Sequence, residues 1–575
     1  MAKRPPKHRK PPETVSYARS TDAPEFTEAD AGPVPLWPGL VVTAICAAVY
    51  LSVGGAYYGF DASGFTHHNL TANAWLNGRT HVTGEEIERQ TFTRFLRRHG
   101  RTLQPDVSID ELRQGFRQLW TRHFSNQRDS RGRPVYSPAQ VQAKVNDLAR
   151  VKPFHDWVQI GGRYYAYWPP VPALIMLPFV AIWGPAVSDI LVGNLLGVAS
   201  VLCVYLMLRS LKPHWPGLST GGCLAASLFY GLGTCAMYQA CIGQVWYLTQ
   251  LSGTLFLIIA AWFGIRAIER PAWLVPAGLM LGLGFLGRNT IILAAPMFAL
   301  LLWMAVRESP HRHRRFLTWG AGFAAMLVLA IGVQLAFNEA RFGDYREFGQ
   351  GLLAGGHGNP RFDADFKTYG RFHPHFVARN AWYYFLNPRM GVLQGRTHPI
   401  AGGLTFDPDG NSLFLTSPLM AYMLLAWRRR GRPQGLPAWL GLVALLAFVG
   451  GQMLIARGYT VGKFRWADTN TVVWAECALI AIVLAAFLTK CVQSRDLLLW
   501  AVLAGAIPGT AMLMMFHGTG WYQFGQRYLL DALPLLLILT LFGMRGRASL
   551  ISSALIAISI AVNAWGTYRF CLEQG

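Results

Sequence analysis

Apolar runs alternate with short basic clusters along most of the chain. About 20 apolar residues in helix cross the roughly 30 Å hydrocarbon core of a bilayer. By that measure thirteen segments predict transmembrane helices: 37–58, 188–208, 219–240, 245–265, 272–287, 290–306, 316–338, 411–427, 437–456, 471–489, 497–516, 528–543 and 549–566. The fold class expected is therefore an all-α polytopic membrane protein. A further apolar segment, 171–184, is too short to cross, since about 14 residues at 1.5 Å each reach only about 21 Å. It predicts an interfacial or re-entrant helix.

Charge decides the orientation. With the N-terminus inside, alternate loops hold Arg209 and Lys212; Arg266 and Arg270; Arg307, Arg312, Arg314 and Arg315; Arg428, Arg429, Arg430 and Arg432; Lys490 and Arg495; and Arg545 and Arg547. Every inner loop is basic, as the positive-inside rule requires. Counting 171–184 as a span would invert all that follows. The expected organisation is a basic, disordered cytoplasmic tail (1–36), a first span acting as an uncleaved anchor (37–58) and a large outer loop (59–187). Spans two to seven (188–338), a second outer loop (339–410) and spans eight to thirteen (411–575) follow.

The first outer loop carries helix-start signals at Thr83-x-x-Glu86, Ser108-x-x-Glu111 and Ser137-x-x-Gln140, with Pro138 at a first helical position. Each is a capping box, in which the hydroxyl and the side chain three residues on satisfy each other's free amides. Ile109, Leu112, Phe116, Leu119 and Trp120 form one apolar stripe after the second. A helical insert over 83–151 follows from these signals, either a cap on the membrane domain or a solvated spacer.

Composition supports the membrane assignment. The chain of 575 residues is 52% apolar and only 14% charged, and its net charge is +22. Soluble domains carry about 25% charged residues, so a soluble enzyme, a secreted disulfide scaffold and a disordered chain are excluded. The eight cysteines include no C-x-x-C pair and no zinc-like spacing with histidine. Neither a phosphate-binding G-x-x-x-x-G-K-[ST] loop nor a dinucleotide fingerprint is present. If the chain is a transferase, its donor arrives through the membrane.

Candidate chemistry gathers beside the spans. Asp61 is the first acid beyond the first span, where partial desolvation and a fixed position suit a general base; an ordinary interfacial Asp is the plainer reading. Arg527 and Tyr528 stand at the outer mouth of the twelfth span, placed for bidentate contact with a phosphate or for snorkelling to headgroups. Arg288, between two short spans, needs a partner or a water-filled cavity. His67 and His68 could neutralise a leaving phosphate or bind a metal, although adjacent helical residues diverge. Arg163, with Asp156 in the same aromatic-rich segment, and Gln244, beside Trp246, are substrate-pocket candidates. His357, Asp363, Asp365, His373, His375 and His398 mark the second outer loop as a lid or acceptor surface without assigned roles.

These features together resemble the GT-C superfamily of membrane glycosyltransferases, including protein O-mannosyltransferases and the lipid A aminoarabinose transferase. The resemblance rests on the acid after span one, on GRYYAYWPPVPALIMLPFVAIWG before span two, on PAGLMLGLGFLGRNTIILAAP and on FGQRYLLDALPLLL. The sequence departs from the family pattern at three places. Ala62 follows Asp61 where a second acid is common, Gln244 replaces an acid, and Asp531 stands where proline is frequent. The resemblance implies sugar transfer from a polyprenyl-phosphate donor to a glycan, lipid or protein hydroxyl on the outer face of a bacterial inner membrane, with inversion. Asp61 would be the base, and Arg527, Tyr528, Arg288 and His68 would hold the donor phosphate. No cofactor is implied with certainty; a divalent metal is possible, and nucleic acid is not a partner. Two alternatives stay open. One is a transporter or flippase of a lipid-linked or anionic solute, which the scarcity of acids inside spans (Glu476 excepted) disfavours. The other is a non-catalytic GT-C-like relative that binds an envelope partner.

Overall fold

A computed structural model describes residues 32–104, 106–128, 132–353, 363–388, 390–392, 404–429, 470–520 and 522–574. The described chain is almost entirely helical, with two two-stranded hairpins, and is a multi-pass membrane protein. Among the described residues seven helices are long and apolar enough to cross a membrane, and several shorter apolar helices accompany them.

The first helix, α1 (Trp37–Tyr58), starts at Pro38 and ends where Gly59 turns left-handed at φ 68°, a conformation glycine adopts without steric cost. After it come α2 (His67–Leu76) and the insert helices α3 (Gly84–Arg98), α4 (Ile109–Ser125) and α5 (Pro138–Val151). All three capping boxes are made in full. The insert has a small core of its own, in which Phe92, Leu96, Leu112 and Phe116 are buried. An antiparallel hairpin of β1 (Trp157–Ile160) and β2 (Arg163–Ala166) turns through Gly161 and Gly162 and leads to the short apolar helix α6 (Val171–Trp183).

The membrane bundle follows: α7 (Asp189–Arg209), α8 (Thr220–Leu232), α9 (Ala236–Ile242), α10 (Val245–Arg266), α11 (Leu274–Gly287), α12 (Ala295–Val306) and α13 (Arg312–Phe342). Helix α10 is its centre, packed against α7 and α11, while α1 packs on α7 and α13 on α11. The apolar run 219–240, expected as one span, is divided. Gly233 closes α8, and the Thr234 hydroxyl accepts the Ala236 amide at 3.2 Å to start α9. Helix α13 turns Leu317, Val328 and Leu329 outward, as a surface solvated by lipid should.

Beyond the short helices α14 (Asp363–Tyr369), α15 (Val377–Ala381) and α16 (Leu413–Thr416), the expected span 411–427 is mostly a 3-10 helix, Pro418–Arg429. The expected span 437–456 lies outside the described residues. The chain then forms α17 (Asn470–Ser494), α18 (Leu497–Met514), α19 (Leu533–Gly543) and α20 (Leu550–Gln574). The expected span 528–543 is thus an 11-residue helix preceded by a 3-10 turn, Arg527–Asp531. That turn matters most for the site, because it sets two ionisable side chains against α10 and α11.

Loops are pinned to the bundle by polar contacts. Arg341, near the end of α13, donates to the Ala166 and Trp168 carbonyls at 2.5 and 3.0 Å. Val82 pairs with Tyr164, and Val158 with Leu353, so segments of both large loops share the hairpin.

Candidate active site

The turn after α1 is held by the start of α7. The Ser188 hydroxyl donates to the Asp61 carbonyl at 3.2 Å, and Ser63 donates its amide and hydroxyl to the Asp189 carboxylate at 2.7 and 2.6 Å. These contacts fix the Asp61 backbone, and its side chain remains 62% exposed. One carboxylate oxygen accepts from Arg94 of α3 at 2.8 Å, and the same guanidinium also reaches the Tyr58 carbonyl at 3.3 Å. The other oxygen has no partner among the described residues. The insert therefore supplies a direct neighbour to the expected base. The spacing of α3 predicts a helix there but not which residue it turns toward Asp61.

On the other side of α10, Arg288 terminates α11 in extended conformation, φ −154°. Its Nε donates to Asp531, whose Oδ2 also accepts the Thr290 hydroxyl at 2.5 Å. The charge at Arg288 is thus matched by the acid that stands in place of the usual proline. Close packing of α10 and α11 makes this possible: a Cβ on Gly253 would lie 2.9 Å from the Arg288 Cβ.

Arg527 differs. Its backbone is clamped by three buried glutamines: the amide donates to Gln523 Oε1 at 3.3 Å, and the carbonyl accepts from Gln239 and Gln250 at 3.3 and 3.1 Å. Its guanidinium donates to the Tyr528 hydroxyl at 3.3 Å and also hydrogen-bonds Tyr247, and its Nε is buried without a partner among the described residues. No carboxylate pairs with it among the described residues. Tyr528 lies 5.0 Å and Tyr247 6.0 Å from the guanidinium carbon, and Arg288 shares the Tyr528 face at 4.9 Å. Nearby, Tyr238 and Tyr384 bury hydroxyls that have no partner among the described residues. A buried cation with no acidic partner, ringed by phenols, has the chemistry to accept one anion.

The structure does not bring Asp61 into contact with Arg527. Contacts between them run from Arg94 to Tyr58, from Tyr58 to the Cys571 sulfur at 4.0 Å, and from neighbouring Phe570 to Tyr247 at 6.3 Å between ring centroids. Expectations for the two histidines change as well. His67 bonds the His155 carbonyl at 2.9 Å and stacks on Trp157 at 4.4 Å. His68 lies between the Val245 carbonyl and the Thr249 hydroxyl, at 3.1 and 2.9 Å. Burial pushes His67 down to about 3 and His68 down to about 4, so both rings are neutral at pH 7 and bring no positive charge to a phosphate. Arg163 is exposed on the hairpin, with no contact to Arg288 or Arg527, whereas Gln244 is buried at the start of α10 beside Trp246. Among the described residues no three His, Cys, Asp or Glu side chains converge into a metal-binding set.

Asp531 as partner of Arg288, Arg94 as partner of Asp61 and Tyr247 beside Arg527 were not foreseen from sequence. Only Asp531 left a signal there, as a departure from the family pattern.

Residues 168–333 match the family of dolichyl-phosphate-mannose-protein mannosyltransferases. The matched segment runs from the hairpin's exit into α13 and includes α10, Arg288 and Thr290, but neither Asp61 nor Arg527. Comparison with curated proteins and with solved structures gives no match. The family match supports a membrane glycosyltransferase of the GT-C type.

Proposed function

We propose that this protein transfers a sugar from a polyprenyl-phosphate donor to an acceptor hydroxyl on the extracytoplasmic face. The observation that carries this reading is the unmatched Arg527 guanidinium, ringed by tyrosines at one end of an apolar bundle. A lipid-borne phosphate suits that position, since its chain can lie along the lipid-facing helices while its charge meets Arg527. Arg288, already matched by Asp531, orients the Tyr528 ring, and Tyr528 adds a neutral donor.

In the reaction the acceptor O–H bond breaks and its proton passes to the unpartnered oxygen of Asp61. The acceptor oxygen bonds to the anomeric carbon as the bond from that carbon to the phosphate oxygen breaks, with inversion. The electron pair leaves on the lipid phosphate, where Arg527 meets the developing charge. Donors fixed before the reaction are effective because they need no reorganisation as charge appears. For Asp61 to act on a sugar held by Arg527, the packed layer of Tyr58, Cys571, Phe570 and Tyr247 between them must open on substrate binding. The Asp61–Arg94 pair also favours a second reading, a non-catalytic relative in which this acid is structural.

The test is transfer of labelled sugar by the full-length protein in proteoliposomes containing polyprenyl-phosphate mannose. Turnover that disappears in Asp61→Asn and in Arg527→Gln, with both variants folded, supports the enzyme. Absence of turnover in the unaltered protein with a panel of lipid-linked sugars favours the non-catalytic reading.

A further inference from the structure

Asp156 has no part in the chemistry above, yet its placement is specific. It adopts φ 63°, a left-handed conformation that aspartate tolerates better than most residues. Its neighbours His155 and Gln159 are exposed, but its own side chain is turned inward and only 16% exposed. Trp246 donates its indole N–H to Asp156 Oδ2 at 2.8 Å, and the His155 ring nitrogen stands 3.6 Å from the same oxygen. The second carboxylate oxygen has no partner among the described residues.

Around this carboxylate stands a wall of rings. Phe65 lies 5.0 Å from Trp246, and His155 6.2 Å. Two features tie the wall to the Arg527 pocket. Trp246 and Tyr247 are consecutive residues in the first turn of α10, the first holding Asp156 and the second flanking Arg527. Tyr167, stacked on Trp168 at 4.1 Å between ring centroids, is within electrostatic reach of both: burial raises its phenol well above the usual range, Asp156 raises it further, and Arg527 and Arg288 pull it down. Its hydroxyl has no hydrogen-bond partner among the described residues. A free carboxylate oxygen, a partnerless phenol and an aromatic wall next to an anion receptor are what a pyranose joined to a phosphate requires. Its hydroxyls need acceptors, and its C–H faces need apolar surface.

We propose that Asp156 and Trp246 form the subsite for the transferred sugar, with Asp156 accepting hydrogen bonds from pyranose hydroxyls. The proposal rests on Arg527 being the donor-phosphate site and adds a specificity-determining residue to it. Asp156→Asn is the informative variant. Its amide oxygen can still accept from Trp246, while its NH2 replaces the free acceptor with a donor.

The experiment measures binding of farnesyl phosphate, and of farnesyl phosphate carrying mannose, glucose or galactose, to the full-length protein in nanodiscs. The unaltered protein should bind at least one sugar-bearing lipid about tenfold more tightly than bare farnesyl phosphate, the size of one hydrogen bond to a charged group. Asp156→Asn should erase that increment, leave affinity for bare farnesyl phosphate unchanged and keep the wild-type melting temperature. Arg527→Gln should weaken binding of every lipid. An increment that survives in Asp156→Asn, or equal weakening of bare and sugar-bearing lipids, overturns the assignment. So does a wild-type protein that binds bare farnesyl phosphate but gains nothing from any sugar. Failure to bind any of these lipids overturns the donor reading and this assignment with it.

Discussion

Arg288 and Arg527 are two arginines beside one tyrosine ring, and they should respond to substitution in opposite ways. Among the described residues the Arg527 side chain hydrogen-bonds only phenols, those of Tyr528 and Tyr247, and has no acidic partner. The glutamine contacts that hold its turn are to backbone atoms and survive any side-chain change. Arg527→Gln should therefore cost about 1.5–3 kcal/mol of stability, the worth of a hydrogen bond to a charged group and less than a buried ion pair broken from one side. Its catalytic cost should be far larger, about 10²–10³ in kcat, as for loss of one fixed donor to developing negative charge. Arg288→Met has the reverse profile. It strands the Asp531 carboxylate, which is 4% exposed and otherwise bonded only to Thr290. Breaking a buried pair from one side costs about 3–5 kcal/mol. Removing both charges in Arg288→Met/Asp531→Leu should recover most of that loss. The assays are thermal unfolding in detergent and sugar transfer in proteoliposomes. The reasoning is refuted if Arg527→Gln retains full kcat, if it unfolds as early as Arg288→Met, or if the double variant is no more stable than Arg288→Met alone.

Further outcomes follow from the same geometry. Arg94→Met should change stability by no more than about 1 kcal/mol, because Asp61 is largely solvated. It should nevertheless lower kcat, since Asp61 loses the contact that orients it; unchanged kcat would show that Arg94 does not position the base. Ser108→Ala should cost the insert about 1 kcal/mol, seen as faster limited proteolysis between α3 and α5. The histidines give a pH dependence. His67 and His68 are held neutral, with folded values of about 3 and 4 against an ordinary 6.5, so the unfolded chain binds more protons as pH falls. Their contribution to stability is complete above about 6.5 and declines as pH drops toward those folded values, by about 2 kcal/mol per histidine at pH 5. Melting temperature should fall over that range, and less steeply in His68→Gln; a flat profile would contradict the burial argument.

The membrane architecture was legible because apolar length is a strong signal and its interruptions are chemical. The run 37–58 coincides with α1, since Gly59 ends both the run and the helix. The segment 171–184 forms the 13-residue α6, as short as its length implies. Where the sequence misled, composition masked a change of backbone. The run 219–240 carries no charge to mark the break at Gly233 and Thr234, where the helix restarts, and 528–543 hides a 3-10 turn. That turn is stabilised by Gln239 of α9 and Gln250 of α10, and by Gln523 four residues upstream.

At the site, residue types were legible and partners were not. Arg288 needed a counter-charge, as burial requires, but the partner lies 243 positions away. Asp61 was visible as the first acid after α1, while the residue that engages it comes from the insert, whose orientation over α1 is a tertiary matter. His68 has a residue type suited to binding phosphate and a surrounding that leaves it uncharged, because α2 packs it against α10. Asp156 was visible only as one acid among aromatics until Trp246 and Tyr247 placed it beside the Arg527 pocket.

The central claim is that Arg527 binds the phosphate of a lipid-linked sugar. A cryo-EM structure of the full-length protein in nanodiscs with a non-hydrolysable polyprenyl-phosphonate sugar tests it most directly. The account predicts phosphonate oxygens within hydrogen-bond distance of the Arg527 guanidinium and the Tyr528 hydroxyl, with the isoprenoid chain leaving along the bundle's lipid-facing surface. Phosphonate density elsewhere, with Arg527 still facing only its ring of tyrosines, would contradict it.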